Sequence, residues 1–66
     1  MSEITATERT MLSLIGEGLE KRAIAKQLRS NVLMVAFRQR RLYKKLGVPN
    51  APAAVHYAFK NGLLPD

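Results

Sequence analysis

The sequence predicts an all-α domain of four helices, and three observations carry that prediction. Side chains suited to helix N-caps stand at Thr5, Asn31 and Asn50. Downstream of each, apolar residues recur three and four apart, and no stretch alternates strictly as a half-buried strand would. Glycines at 16, 18, 47 and 62 follow these apolar runs, where helices stop.

Thr5-Ala6-Thr7-Glu8 has the T-x-x-E form of a capping box, in which the Thr5 hydroxyl and the Glu8 carboxylate satisfy each other's backbone amides. Helix 1 therefore starts at Ala6, Ile4 can staple against it, and Met11, Leu12, Leu14 and Ile15 form its inner stripe until Gly16 and Gly18. Residues before Ile4 are expected to fray. Helix 2 begins near Glu20, a weaker cap, and buries Ile24, Ala25 and Leu28. Arg29-Ser30-Asn31 breaks the pattern, and Asn31 caps a long helix 3 that Gly47 closes. Pro49 prevents continuation, Asn50 caps helix 4, and Pro52 is tolerated in the first turn. Ala54, Val55 and Ala58 are its packing stripe, and Leu63 and Leu64 return to the core. The expected helices cover about 6–16, 20–28, 32–46 and 51–61 of a single domain spanning 1–66. Its expected core is Leu12, Leu14, Ile24, Leu28, Val35, Leu42, Leu46, Val55 and Ala58.

A chain of 66 residues, 47% hydrophobic and 24% charged, has the composition of a globular domain. At this length only about 60% of the unfolded surface is buried, so the stability margin is small. There is no cysteine and one histidine, His56, which leaves no ordinary disulfide or metal site. His56 is read as a surface residue. Ser13 has no partners at triad spacing, there is no phosphate-binding glycine loop, and so neither enzyme activity, cofactor nor small-molecule ligand is expected. No apolar run approaches a membrane-spanning length and no secretion signal is visible, so the chain is expected to be soluble and cytoplasmic, without a membrane partner.

Charge is distributed unevenly. Residues 1–20 carry Glu3, Glu8, Glu17 and Glu20 against Arg9, whereas Lys21 to Pro65 holds ten Lys or Arg and no acid. A one-signed segment of that size points to a polyanion. Helix 3, NVLMVAFRQRRLYKKL with its cap, concentrates the effect. Val32, Val35, Leu42, Tyr43 and Leu46 share a core face, while Leu33, Ala36, Phe37, Arg40 and Lys44 lie roughly opposite, flanked by Arg38, Arg41 and Lys45. An exposed face that is apolar early and cationic late is a contact surface. Helix 2, a three-residue turn and a basic helix 3 have the outline of a helix-turn-helix.

The ordered motifs resemble the LuxR/FixJ (GerE-like) DNA-binding domain of bacterial transcription regulators. The segments are Ile4-Thr5-x-x-Glu8, Leu12-x-Leu14-Ile15-x-Glu17-Gly18, Ile24-Ala25-x-x-Leu28, Val35 with Leu42-Tyr43-x-Lys45-Leu46-Gly47-Val48, and Asn50-x-x-x-Ala54-Val55-x-Tyr57-Ala58 with Gly62-Leu63. The resemblance spans Ile4 to Leu64 without a gap. It implies that helix 3 enters the major groove of double-stranded DNA, with base-facing positions at Ala36, Phe37 and Arg40, and that helix 4 makes a two-fold dimer contact. The sequence departs from the family pattern at Met34, where Thr is usual, at Ala36, where a basic residue is frequent, and at the caps and first turns of helices 2 and 3 (Glu20, Ala23, Asn31, Val32).

Two readings of helix 3 follow. In the first, Arg40 pairs with guanine, Ala36 and Phe37 pack on thymine methyls, and Arg38, Arg41, Lys44 and Lys45 hold phosphates. The chain dimerises through Ala54, Tyr57, Ala58 and Phe59, which with Val55 make helix 4 more apolar than one packed face requires. In the second, Leu33, Met34, Ala36 and Phe37 seat a second transcription regulator, and the chain antagonises it.

Overall fold

The computed structural model describes residues 4–64, which form α1 (Ala6–Gly16), α2 (Lys21–Gln27), α3 (Val32–Leu46) and α4 (Ala51–Lys60). Met1 to Glu3, expected to fray, lie outside the described residues. Three helices start on a side-chain cap. At α1 the Glu8 amide donates to Thr5 Oγ1 at 3.1 Å, and the Thr5 amide donates to Glu8 Oε1 at 2.9 Å, closing the reciprocal box. Asn31 Oδ1 accepts from the Met34 amide at 2.8 Å, and Asn50 Oδ1 from the Ala53 amide at 2.9 Å. Glu20, at the α2 N-cap, makes no side-chain cap bond. Each Asn accepts from an amide that has no partner inside the helix.

The C-termini are less uniform. Gly16 remains helical, and α1 is closed by Gly18 at φ +85°, with the Leu19 amide reaching the Leu14 carbonyl at 3.2 Å. At the end of α2 the left-handed position is taken by Arg29, at φ 54°. The Ser30 amide bonds the Ala25 carbonyl at 2.8 Å, a bond that requires the chain to turn left-handed just there. A residue with a Cβ pays about 1 kcal/mol for that conformation.

Helix α3 packs on α2 and α4, and α1 packs on α4 and α2, so the four helices enclose one core. Met11, Leu12, Ile24, Val35, Leu42, Ala54 and Ala58 are fully buried in it, with Ile15 and Ala25 nearly so. Several sequence expectations shift here. Leu14, Leu28, Leu46 and Val55 are half-buried at the rim, whereas Met11 and Ala54 are fully enclosed. Met11 fits because its unbranched thioether follows an irregular space, and Ala54 because α1 and α4 pack together there. Val32, placed on the core face, is 44% exposed, since the first turn of α3 borders an open groove. The middle of that inner stripe is held instead by Gln39, 8% exposed.

Leu42 lies at the centre of the inner face of α3, so Leu42→Ala should cost about 2–5 kcal/mol. In so small a domain that is a large share of the whole stability. Urea or thermal denaturation measures it, and an unchanged midpoint would contradict the packing described.

Candidate nucleic-acid interface

Because Val35, Gln39 and Leu42 turn one side of α3 inward, the opposite side is left to solvent. At about 100° per residue, Leu33, Phe37, Arg40 and Lys44 fall within an arc of about 60°. All four are exposed, Leu33 at 83% and Phe37 at 52%. Ala36 lies at the edge of this arc and is half-buried. The three expected base-facing residues, Ala36, Phe37 and Arg40, are therefore neighbours on one outward surface.

The flanking cations are not equivalent. The Arg41 guanidinium sits 5.7 Å from the centroid of the Phe37 ring, a cation–π arrangement on exposed side chains. Arg38 turns toward the start of α1 and the α2–α3 turn, where it and Arg29 line a cleft of about 280 Å³ with Thr7, Leu28 and Ser30. Arg29 stands in the sequence only as part of a break between helices, and it borders this cleft from the left-handed turn that ends α2. Lys45, expected at phosphate, is instead drawn back to α1: its ammonium donates to Glu8 Oε1 at 2.9 Å and Oε2 at 3.0 Å. Glu8 Oε1 thus accepts from both the Thr5 amide and Lys45, tying the start of α1 to the end of α3. Burial opposes the Glu8 charge, but the Thr5 amide and the Lys45 ammonium outweigh it and hold the carboxyl below its ordinary 4.5. Burial raises the Tyr43 hydroxyl above its usual value, in keeping with a packing role at the edge of the core.

On α4, the expected dimer contact needs correction. Ala54 and Ala58 are fully buried within the domain, because their small side chains let α4 lie against the rest of the core, so neither is available to a second copy. Tyr57 is half-buried and Phe59 is 77% exposed. Of the surfaces expected to meet a protein partner, Leu33, Met34 and Phe59 are open. His56 is exposed, and among the described residues no cluster of His, Cys, Asp or Glu is placed to hold a metal ion. No described helix is long and apolar enough to cross a membrane.

A helix-turn-helix made by α2 and α3, closed by α1 and α4, carries a cationic outer face on its second helix. Residues 2–58 match the bacterial regulatory proteins of the luxR family. The chain belongs to that family. No curated protein and no solved structure matches it. The luxR-family domain is a DNA-binding transcription-regulator module, which agrees with the basic, acid-free segment that begins at Lys21. The cleft between α1 and α3 lined by Glu8, Met11, Met34, Phe37 and Arg38, about 360 Å³, is bordered also by Lys45, so the Glu8–Lys45 pair bridges its two walls.

The lowered Glu8 value makes a stability statement. A carboxyl whose folded pKa lies below its unfolded one contributes fully above the unfolded value, and the contribution fades as pH falls through the folded value. Glu8→Gln should therefore lower stability at neutral pH by no more than about 1 kcal/mol, since the pair is near the surface. It should also remove part of the stability loss that the wild type shows below pH 4.5. Thermal melts across an acid pH series check both statements.

Proposed function

We propose that the chain is a sequence-specific regulator that binds double-stranded DNA with α3 in the major groove and acts as a homodimer through α4. Arg40 reads a guanine edge, with Phe37 and Ala36 beside it, and Arg38, Arg41 and Lys44 hold phosphates. The observation that carries this reading is the joint exposure of Arg40, Lys44 and Phe37 on one arc of α3, in a segment without a single acid. Family membership supports the same chemistry. Lys45 supports the fold through Glu8 and is left out of the phosphate set.

For the dimer, the residue that supports α4 as the contact is Phe59, in place of the buried alanines; half-buried Tyr57, two residues before it, lies on the other side of the helix. Two copies related by a two-fold axis would meet half-sites about one helical turn apart.

A second reading is favoured by one observation, the 83% exposure of Leu33 next to exposed Met34 and Phe37. In it, the outer face of α3 docks on another transcription regulator and antagonises it. Loss of that association in Phe37→Ala, together with no salt-dependent DNA binding by the wild type, would replace the DNA reading by this one.

Arg40→Ala should cost about 1–3 kcal/mol and relax preference at one base pair, whereas Lys44→Ala should weaken all sequences alike and lower the salt slope by about one. Binding titrations over a salt series separate the two outcomes. On a duplex with paired half-sites, sedimentation should show two copies per duplex, and Phe59→Ala should weaken entry of the second; one copy per duplex at saturation rejects the dimer.

A further inference from the structure

We infer that Leu33 and Phe37 read the C5-methyl group of thymine, so that the duplex this domain prefers carries A·T pairs beside the base met by Arg40. The inference rests on the DNA reading above and specifies its ligand. Leu33 is 83% and Phe37 52% exposed, so neither side chain is needed by the core. Two large apolar groups held in water side by side mark a contact surface.

Its neighbours decide what covers it. Arg40 and Lys44 share the same arc, Arg41 stacks on the Phe37 ring, and no acid stands between Lys21 and Pro65. A polyanion satisfies that surround. Phosphate binding by itself uses only the cations, because it is electrostatic and independent of sequence. The apolar pair must meet something else, and the apolar group that a base edge offers in the major groove is the thymine methyl. Leu33 and Phe37 are one turn apart, about 6 Å along the helix axis. That is less than two base steps of about 3.4 Å, so both can reach methyls on nearby pairs. With Arg41 over one face of the Phe37 ring, the opposite face and the edge remain for the methyl. Met34 lies about 60° further round α3 than Phe37, toward the cleft against α1 that both residues border, and so stands off the arc that carries Arg40.

Two duplexes of equal length and sequence, in which G·C pairs are set among A·T pairs and which carry thymine in one (the dA·dT duplex) and uracil in the other (the dA·dU duplex), differ only in that methyl and test the inference directly. The wild type should bind the dA·dT duplex about fourfold more tightly for each methyl buried. Leu33→Ala and Phe37→Ala should each shrink this ratio, and the double variant should bring the dA·dT affinity down to the dA·dU value. Both side chains are exposed, so unchanged thermal midpoints verify that the variants fold. Replacing cytosine by 5-methylcytosine in a dG·dC duplex should raise wild-type affinity, since it puts the same methyl in the same groove. Equal affinities for dA·dT and dA·dU, with steep salt dependence retained, would overturn methyl reading and leave the DNA reading in place. Absence of salt-dependent binding to every duplex would overturn both.

Discussion

The burial of one side of α3 is the constraint on which the rest of this domain depends. Val35, Gln39 and Leu42 anchor the helix against α2 and α4, and a helix buried along one stripe must hold its opposite stripe in solvent. The presentation of Leu33, Phe37, Arg40 and Lys44 is thus a consequence of packing and requires no separate scaffold. Since hydrophobic burial is nondirectional, the rotation of α3 about its axis is set by which residues are apolar, and that rotation aims the cations.

Around this anchor the domain has little in reserve. Four of the leucine and valine positions that could have completed the core, Leu14, Leu28, Leu46 and Val55, are only half-buried at its rim. Local devices fill part of the gap: the α1 capping box, the two Asn caps and the Glu8–Lys45 tie. The tie also fixes the end of α3 relative to α1 and holds the Lys45 ammonium at the α1 side of the helix. Arg40 and Lys44 remain on the outward arc.

Two features run against stability and point toward contact. Arg29 occupies a left-handed position that glycine would take without strain, and Leu33 and Phe37 leave large apolar surface in water. Local rules tend to be broken where a surface has work other than folding. Both departures fall at or beside the helix-turn-helix, whereas α1 and α4 are locally regular except for exposed Phe59.

Much of the fold was legible in the residues alone, because helix starts and periodic burial are short-range properties. Thr5 with Glu8, Asn31 and Asn50 announce three helices through the amides they can satisfy, and Leu42, Val35 and Ile24 announce the inner faces. The family itself was readable from the same ordered spacing. Other features were beyond reach, since they depend on how helices meet. Periodicity cannot separate a central position from a rim position: Met11 and Leu14 share one stripe and Ala54 and Val55 another, yet of these four only Met11 and Ala54 are fully enclosed. Ala54 and Ala58 look like contact residues on an isolated helix, yet small residues are what allow α4 to approach the core, and the approach hides them. Lys45 reads as one more cation until α1 brings Glu8 within 2.9 Å across 37 residues of chain. Sequence by itself determined where helices begin, which faces are apolar and that the charge is one-signed. Tertiary structure alone decided which apolar and cationic groups stay exposed, because exposure is a property of neighbours distant in the chain.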